Sequence, residues 1–383
     1  MGILLFLLVL TTIVAIHEFG HFIVARMCGV HVEVFSIGMG PRLFGWTDKK
    51  GTDWRVCALP IGGYVKMLGH GGSSNITPEN EHTSYGNKNV FQRIAIVAAG
   101  PFINFFSAIF MFAAITLMNG GVEKYDVQVT RLVEGSPAIA AGIEEGDIIT
   151  SVNGLKIDEI SDIPQALIRR DFSEAEVTVL RNGQEQTLSL DVAVDEDGVP
   201  KIGIYSQRVN VRSEHVGVVS SVTDGASQTW SLLKLQAQGL ARIIGGDIPF
   251  SQVRSIVGIG HDVNNAVGDV SDNIDEANEA IDQHNQQQST SAPQEVEKVS
   301  KAWVIFDIFL RLTAVLSVAI GFMNLLPILP LDGGHLVTYV YEIVARRPMP
   351  NWLMNAYAYA GFGAIILLMV FALGNDLFRI FGA

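Results

Sequence analysis

Apolar positions gather into four runs along the chain, roughly Ile3–Ala25, Ile94–Met118, Val304–Leu329 and Trp352–Leu373. Each reaches the roughly 20 residues that a helix needs to cross about 30 Å of hydrocarbon. The pattern therefore predicts four membrane-spanning helices. A cleaved leader is the competing reading of the first run, but no basic stretch precedes it and ionisable residues interrupt it; it is read as a retained span. Between the runs the period changes. His31–Phe35, Arg55–Leu59 and Gly63–Leu68 alternate or are β-branched, and Gly38, Gly40, Gly62 and Gly63 punctuate them, which predicts short strands joined by tight turns. Backbone of that kind enters a bilayer only where it pairs with itself or lines a wet cavity. From about residue 122 to 206, strand-like runs alternate with glycine turns, with a helix-like Ile163–Ile168 and strand-like Val177–Leu180 and Leu188–Val192. Residues 226–245 are amphipathic through Trp230, Leu233, Leu240, Ile243 and Ile244, predicting a helix against the membrane surface or the rest of the chain. Beyond it Val263, Val267, Val270, Ile274, Ala277 and Ile281 recur every three or four residues. That fits a lone polar helix and a coiled-coil partner equally well. Asp282–Ser300 reads as a flexible linker.

Composition and charge sharpen this picture. Hydrophobic residues make up 49% and charged residues 17% of the 383, and mean hydropathy is +0.32; charged residues are usually about 25%. With a net charge of −13, disordered, collagen-like and nucleic-acid-binding classes are excluded. The charge is concentrated: residues 119–301 hold 14 basic and 29 acidic side chains, the remainder 12 and 10. An acidic, water-soluble block thus sits inside an apolar frame. Arg42, Lys49, Lys50, Arg55, Lys66 and Lys88 follow the first span, and Arg346 and Arg347 follow the third. Basic short loops face the cytoplasm, which puts both termini and the acidic block outside. Cys28 and Cys57 then lie on the reducing side as free thiols.

The expected fold class is a polytopic α-helical membrane protein with four transmembrane helices and a membrane-associated β-rich loop, plus one α+β extracytoplasmic domain. The expected divisions are 1–27 (first span), 28–92 (β-rich re-entrant region and loop), 93–119 (second span), 120–207 (α+β domain), 208–260 (amphipathic helix and connector), 261–300 (polar inserted helix and linker), 301–335 (third span), 336–350 (cytoplasmic loop) and 351–383 (fourth span and C-terminus).

The first span carries His17-Glu18-Phe19-Gly20-His21. On a helix, positions i and i+4 share a face, so both imidazoles can reach one metal ion, with Glu18 beside them as candidate general base. The competing reading is a polar cluster that ties helices together. Ionisable groups inside an apolar span cost about 2.5 kcal/mol or more each and are functional by default. A catalytic zinc usually takes three protein ligands. Asp332, in Asn324-Leu325-Leu326-Pro327-Ile328-Leu329-Pro330-Leu331-Asp332-Gly333-Gly334-His335, ends the third run at the same expected membrane depth. It is the third candidate, ahead of His335. Pro327 and Pro330 break helical pairing and Gly333-Gly334 permits close backbone approach, as an irregular segment lining a cavity requires.

Two resemblances follow from these residues. Ser136-Pro137-Ala138 through Ala141-Gly142, Gly146-Asp147 and Val152-Asn153-Gly154 resemble bacterial PDZ domains. In such a domain Gly203 and Ile204 belong to the strand that captures an extended peptide by strand addition; a domain that only gates or spaces is the alternative. HExxH in the first span, a later NxxPxxPLDGG and a PDZ-like domain between them resemble the site-2 protease family of intramembrane zinc metalloproteases over nearly the whole chain. The four-span bacterial subgroup is the most similar, with wording around Asp332 like that of the actinobacterial branch. Gly38-Met39-Gly40-Pro41, Pro60-Ile61-Gly62-Gly63-Tyr64-Val65 and Ala99-Gly100-Pro101-Phe102-Ile103-Asn104 are further shared marks. The resemblance implies one zinc ion per chain on His17, His21 and Asp332, with Glu18 and Asn324 catalytic. It also implies that Gly62, Gly63 and Tyr64 lie in a re-entrant strand that pairs with unwound substrate. The implied substrates are single-span membrane proteins, such as anti-sigma factors or signal-peptide remnants, cut after a first protease has shortened the ectodomain. The implied place is the bacterial inner membrane, with the active site in its cytoplasmic half. The loose Val253–Gly260 stretch and the polar run 262–300 depart from the family pattern. A membrane metal transporter and an inactive PDZ scaffold are the competing functions; neither accounts for Glu18 between the histidines.

Overall fold

The computed structural model describes residues 2–70, 76–119, 122–157, 160, 162–167, 174–194, 200–214, 217–245, 256–287, 298 and 300–381. It divides into two units, one of residues 1–115 with 219–383 and one of 116–218.

The first unit is built on helices. α1 (Gly2–Met27), α2 (Val90–Met118), α7 (Lys301–Asn324) and α9 (Asn351–Phe381) coincide with the four apolar runs. Four stretches, Gly2–Met27, Val90–Met118, Lys301–Asn324 and Asn351–Asp376, are long and apolar enough to cross a membrane. α1 and α2 approach closely because Gly20 leaves no side chain between them: a Cβ there would lie 2.5 Å from the Ala99 carbonyl oxygen. α7 closes on α2 in the same way at Gly321, where a Cβ would meet Phe105, Pro101 and Asn104.

Between α1 and α2 the chain forms β1 (Val32–Thr47) and β2 (Asp53–Met67), an antiparallel pair with several register shifts. Both strands fold back on themselves at glycines with positive φ, Gly38, Gly40 and Gly62. Residues 34–37 thereby pair twice, Ser36 with Tyr64 and again with Arg55, while Trp46 pairs with Trp54. The expected short strands are thus segments of two long, bent ones. Phe22, Val30, Val32, Phe35, Met67 and Ile96 bury this ribbon against α1 and α2.

Three elements differ from the sequence-based expectation. The third helix ends at Asn324, since Pro327 and Pro330 have no N–H for helical pairing. Residues 336–345, expected as loop, belong to α8 (Asp332–Ala345). The loop reading followed Arg346 and Arg347, but Leu336 and Tyr339 pack on the β1–β2 cluster and Arg346 ends the helix in a left-handed conformation (φ 53°). α5 (Val218–Gly245) starts earlier than the expected 226, and packs Leu232 and Leu233 on α2 and α7. α6 (Ile256–Gln287) is the polar helix; its Val263 and Val267 are buried against Leu5 and Phe6 of α1, with Ile305, Ile308 and Leu312 of α7 alongside. The first two positions of its apolar stripe are thus packed within this unit. Most of the linker expected at 282–300 lies outside the described residues.

The second unit is a six-stranded sheet of order β10 (Ile204–Glu214), β3 (Val122–Leu132), β4 (Ile148–Val152), β6 (Glu174–Arg181), β7 (Gln184–Asp191), with β5 (Leu155–Lys156) on β4. The short helices α3 (Pro137–Ala140) and α4 (Asp162–Leu167) and a two-residue pair, β8 (Ala193–Val194) with β9 (Pro200–Lys201), complete it. Alternating Val127, Val129, Ile149, Val152, Val177 and Val179 fill the core with Ile143, Ile163 and Leu167. Asn153-Gly154 and Asn182-Gly183, all at positive φ, are the two-residue turns that match strand twist in hairpins. This order and these turns agree with the PDZ-like pattern. Asp147, 1% exposed, is held by Arg181 through two 2.7 Å bonds and accepts the Glu144 N–H.

Candidate metal centre and catalytic cavity

His17 and His21 are both buried, one helical turn apart on α1. Asp332 is the first residue of α8. The turn before it is forced by the two glycines that follow. A Cβ on Gly333 would lie 2.2 Å from the Leu325 carbonyl oxygen, and one on Gly334 2.5 Å from the Leu329 nitrogen. Only glycine lets Leu325–Leu329 fold so tightly onto the helix start, and that fold delivers Asp332 to the histidines.

Asp332 Oδ2 lies 3.1 Å from His17 Nε2 and 3.4 Å from His21 Nε2, and the two Nε2 atoms are 3.2 Å apart. In tetrahedral geometry, ligands about 2.0–2.1 Å from a zinc ion sit about 3.3 Å from one another. The three donor atoms already have that spacing. Their protonation agrees. His21 Nδ1 is 2.8 Å from the Ile96 carbonyl oxygen, which can only accept, so Nδ1 carries the proton and Nε2 keeps a lone pair. Asp332 Oδ2, buried, has no hydrogen-bond donor. An unprotonated His21 Nε2 and a carboxylate oxygen 3.4 Å apart repel one another, and a cation held between them and His17 would relieve that repulsion. Among the described residues, these three form the one group of His, Cys, Asp or Glu side chains arranged to hold a metal ion. The residues fit a zinc ion.

The second helix supplies the floor. A Cβ on Gly100 would lie 2.4 Å from His21 Nε2 and 2.8 Å from His17 Cε1, so any other residue there would fill the place a metal needs. Asn104, one turn on, has its side-chain amide 3.3 Å from His17 Nδ1. Neither residue was given a role from sequence. A glycine and an asparagine four apart in an apolar span were the available signal.

The three donors open into a cavity of about 380 Å³, lined among others by Val14, Glu18, Tyr64, Val65, Ile320, Asn324 and His335. Glu18 is half-buried, lines the cavity together with Val65, and lies beside Gly63, whose Cβ would be 3.4 Å from Glu18 Cγ. Asn324 reaches the cavity from the end of α7. Of the expected substrate-binding residues, Tyr64 lines the cavity, Gly63 abuts Glu18, and Gly62 turns the strand at φ 78° against Met39. Gly203 and Ile204 lie in the second unit, where β10 forms one edge of the sheet. The Gly203 and Ile202 carbonyls there accept the Val133 and Ala138 N–H groups. His70 and Tyr85 also line the cavity, a placement the sequence did not suggest.

A histidine pair, a carboxylate and a neighbouring glutamate, set among helices apolar enough to cross a membrane, define a membrane metallopeptidase. Comparison with known proteins agrees. The chain matches the model of peptidase family M50 over residues 5–369. It is 35% identical to metalloprotease MmpA of Caulobacter vibrioides, over 97% of this chain and 94% of that protein. It is 31% identical to a protein of Mesorhizobium japonicum named a zinc metalloprotease, over 97% of each. The chain belongs to peptidase family M50, the site-2 protease family, and is a zinc metallopeptidase. A solved PDZ domain of an SdrC-like protein from Listeria monocytogenes aligns with 22% of this chain and 90% of its own, at 21% identity and a TM-score of 0.20.

Proposed function

We propose that the chain hydrolyses peptide bonds within the transmembrane segments of single-span membrane proteins, of the anti-sigma-factor or signal-peptide-remnant class, after a first cut has shortened their ectodomains. The observation that carries this reading is the placement of three metal donors 3.1–3.4 Å apart beside Glu18, in a cavity among apolar helices. His17, His21 and Asp332 would hold one zinc ion per chain, which would supply Lewis-acid chemistry to the scissile carbonyl and the attacking water. Glu18 accepts the proton of that water and passes it to the leaving amine. The Asn324 amide donates a hydrogen bond to the substrate oxygen on which negative charge develops. A transmembrane helix hides its peptide bonds, so the substrate unwinds first. Gly62-Gly63-Tyr64 offers it a strand to pair with, since this stretch of β2 borders both the cavity and Glu18. The PDZ-like unit lies outside the cytoplasm, excludes intact ectodomains and takes an extended peptide end along β10 at Gly203-Ile204. The protein works in the bacterial inner membrane with both termini outside and the metal centre in the cytoplasmic half. The intact donor set and the metalloprotease names of its relatives weigh against a transporter or an inactive scaffold.

Mass spectrometry of the products from a detergent-solubilised single-span substrate tests this. New termini inside the apolar segment are expected. Cleavage confined to the flanking soluble sequence would overturn the intramembrane reading.

A further inference from the structure

We propose that Asn104 is a positioning residue: its side-chain oxygen accepts the His17 Nδ1–H and so fixes His17 in the tautomer that can ligate the metal. The inference rests on His17 being a ligand. A ligating Nε2 needs its lone pair, so the ring proton sits on Nδ1 and must be donated. His21 meets that demand through the backbone carbonyl of Ile96 at 2.8 Å. His17 Nδ1 instead faces the Asn104 amide at 3.3 Å. An amide nitrogen cannot accept, and amide oxygen and nitrogen exchange by a half-turn of the group. Asn104 Oδ1 has no other partner to lose on that exchange.

The rest of Asn104 is fixed for this task. The residue is 0% exposed. Its backbone carbonyl accepts the Ser317 hydroxyl of α7 at 3.0 Å and the Ser107 hydroxyl at 2.9 Å, and Gly321 of α7 leaves room for its Cβ. α7 is thus tied to α2 through the Asn104 backbone, and the side chain is left for His17. Outer partners of this type change metal affinity about 10–100-fold when removed. Aspartate can accept at the same place and cannot donate, whereas leucine can do neither.

The test is zinc affinity of the full-length apoprotein in detergent, by competition with a chromophoric chelator, for wild type, His17→Ala, Asn104→Asp and Asn104→Leu, with thermal unfolding of each. The expected result is a 10–100-fold weaker Kd for Asn104→Leu, with Asn104→Asp within about threefold of wild type or tighter. If Asn104→Leu does not fold, Asn104→Asp decides alone: affinity near wild type supports the acceptor role, and a loss of tenfold or more overturns it. Wild-type affinity in a folded Asn104→Leu overturns it too. Wild type without zinc, or His17→Ala that binds zinc undiminished, overturns the ligand assignment and this inference with it.

Discussion

Replacing Gly100 by alanine adds one methyl group directly against the two histidine rings. That carbon would sit 2.4 Å from His21 Nε2 and 2.8 Å from His17 Cε1, against an ordinary contact of about 3.5 Å. One or both rings must move by about 1 Å. His21 cannot turn away freely, because its Nδ1–H is bound to the Ile96 carbonyl at 2.8 Å. Metal–ligand distances tolerate about ±0.2 Å, so a shift of that size removes a ligand. A displacement of about 1 Å at reacting groups costs about 100-fold in rate, or about 2.7 kcal/mol. Gly100→Ala is therefore expected to lose at least that much cleavage activity, together with stoichiometric zinc after dialysis. Overpacking adds a penalty of about 1–3 kcal/mol, which thermal unfolding separates from the loss of metal. Gly363→Ala on α9, where nothing lies within 4 Å of the new carbon, is the control and keeps both. One zinc per chain and undiminished cleavage in Gly100→Ala would refute the donor arrangement described here.

Three further outcomes follow. Gly333→Ala drives a carbon into the Leu325 and Leu326 carbonyls at 2.2 and 2.3 Å, so the Asp332 turn opens; zinc content should fall at least tenfold while far-ultraviolet circular dichroism stays near wild type, and full zinc content would contradict it. Tyr85 and Tyr339 share a 2.6 Å hydroxyl bond in a buried setting; each single phenylalanine variant should lose about 1–3 kcal/mol of stability, and the double variant clearly less than the sum, with strict additivity in denaturation refuting the coupling. Burial pushes the Asp147 carboxyl up, but the Arg181 guanidinium and the Glu144 N–H outweigh it and hold it below the usual range. Its contribution to stability is therefore present above the unfolded value of about 3.9 and is lost as pH falls through the lower folded one. Protection factors of the β4 and β6 amides, taken relative to the intrinsic exchange rate at each pH, should fall in acid in the wild type, and Asp147→Asn should be weaker at neutral pH with a flatter acid response; parallel pH curves would refute it.

The four apolar helices were legible because a bilayer demands length and hydropathy, and both are written locally. The cluster of His17, His21 and Asp332 was legible for a related reason: these are expensive residues in apolar surroundings, and the structure brings them together. Harder to see were features set by tertiary contact. Residues 336–345 carry too few apolar positions for a span, and their helix is held by tertiary contacts, Leu336 and Tyr339 in the β1–β2 cluster and Glu342 on Arg93 of α2. The ribbon's double pairing depends on where Gly38, Gly40 and Gly62 bend it, which alternation alone cannot specify. Gly100 and Asn104 were visible as residues but mute as to role, since the one acts through the side chain it lacks and the other through a ring on a different helix. The α6 stripe left two readings open, and the packing of Val263 and Val267 on Leu5 and Phe6 is a tertiary contact that spacing alone does not name.

The most direct test of the central claim is cleavage of a tagged single-span substrate with a shortened ectodomain by wild type and Glu18→Gln, each with and without a zinc chelator, with zinc content measured in parallel. Loss of cleavage by a factor of about 10²–10⁴ in Glu18→Gln, with zinc retained, and loss in chelated wild type are the expected results. Cleavage by Glu18→Gln at the wild-type rate, or by wild type stripped of zinc, would contradict the account.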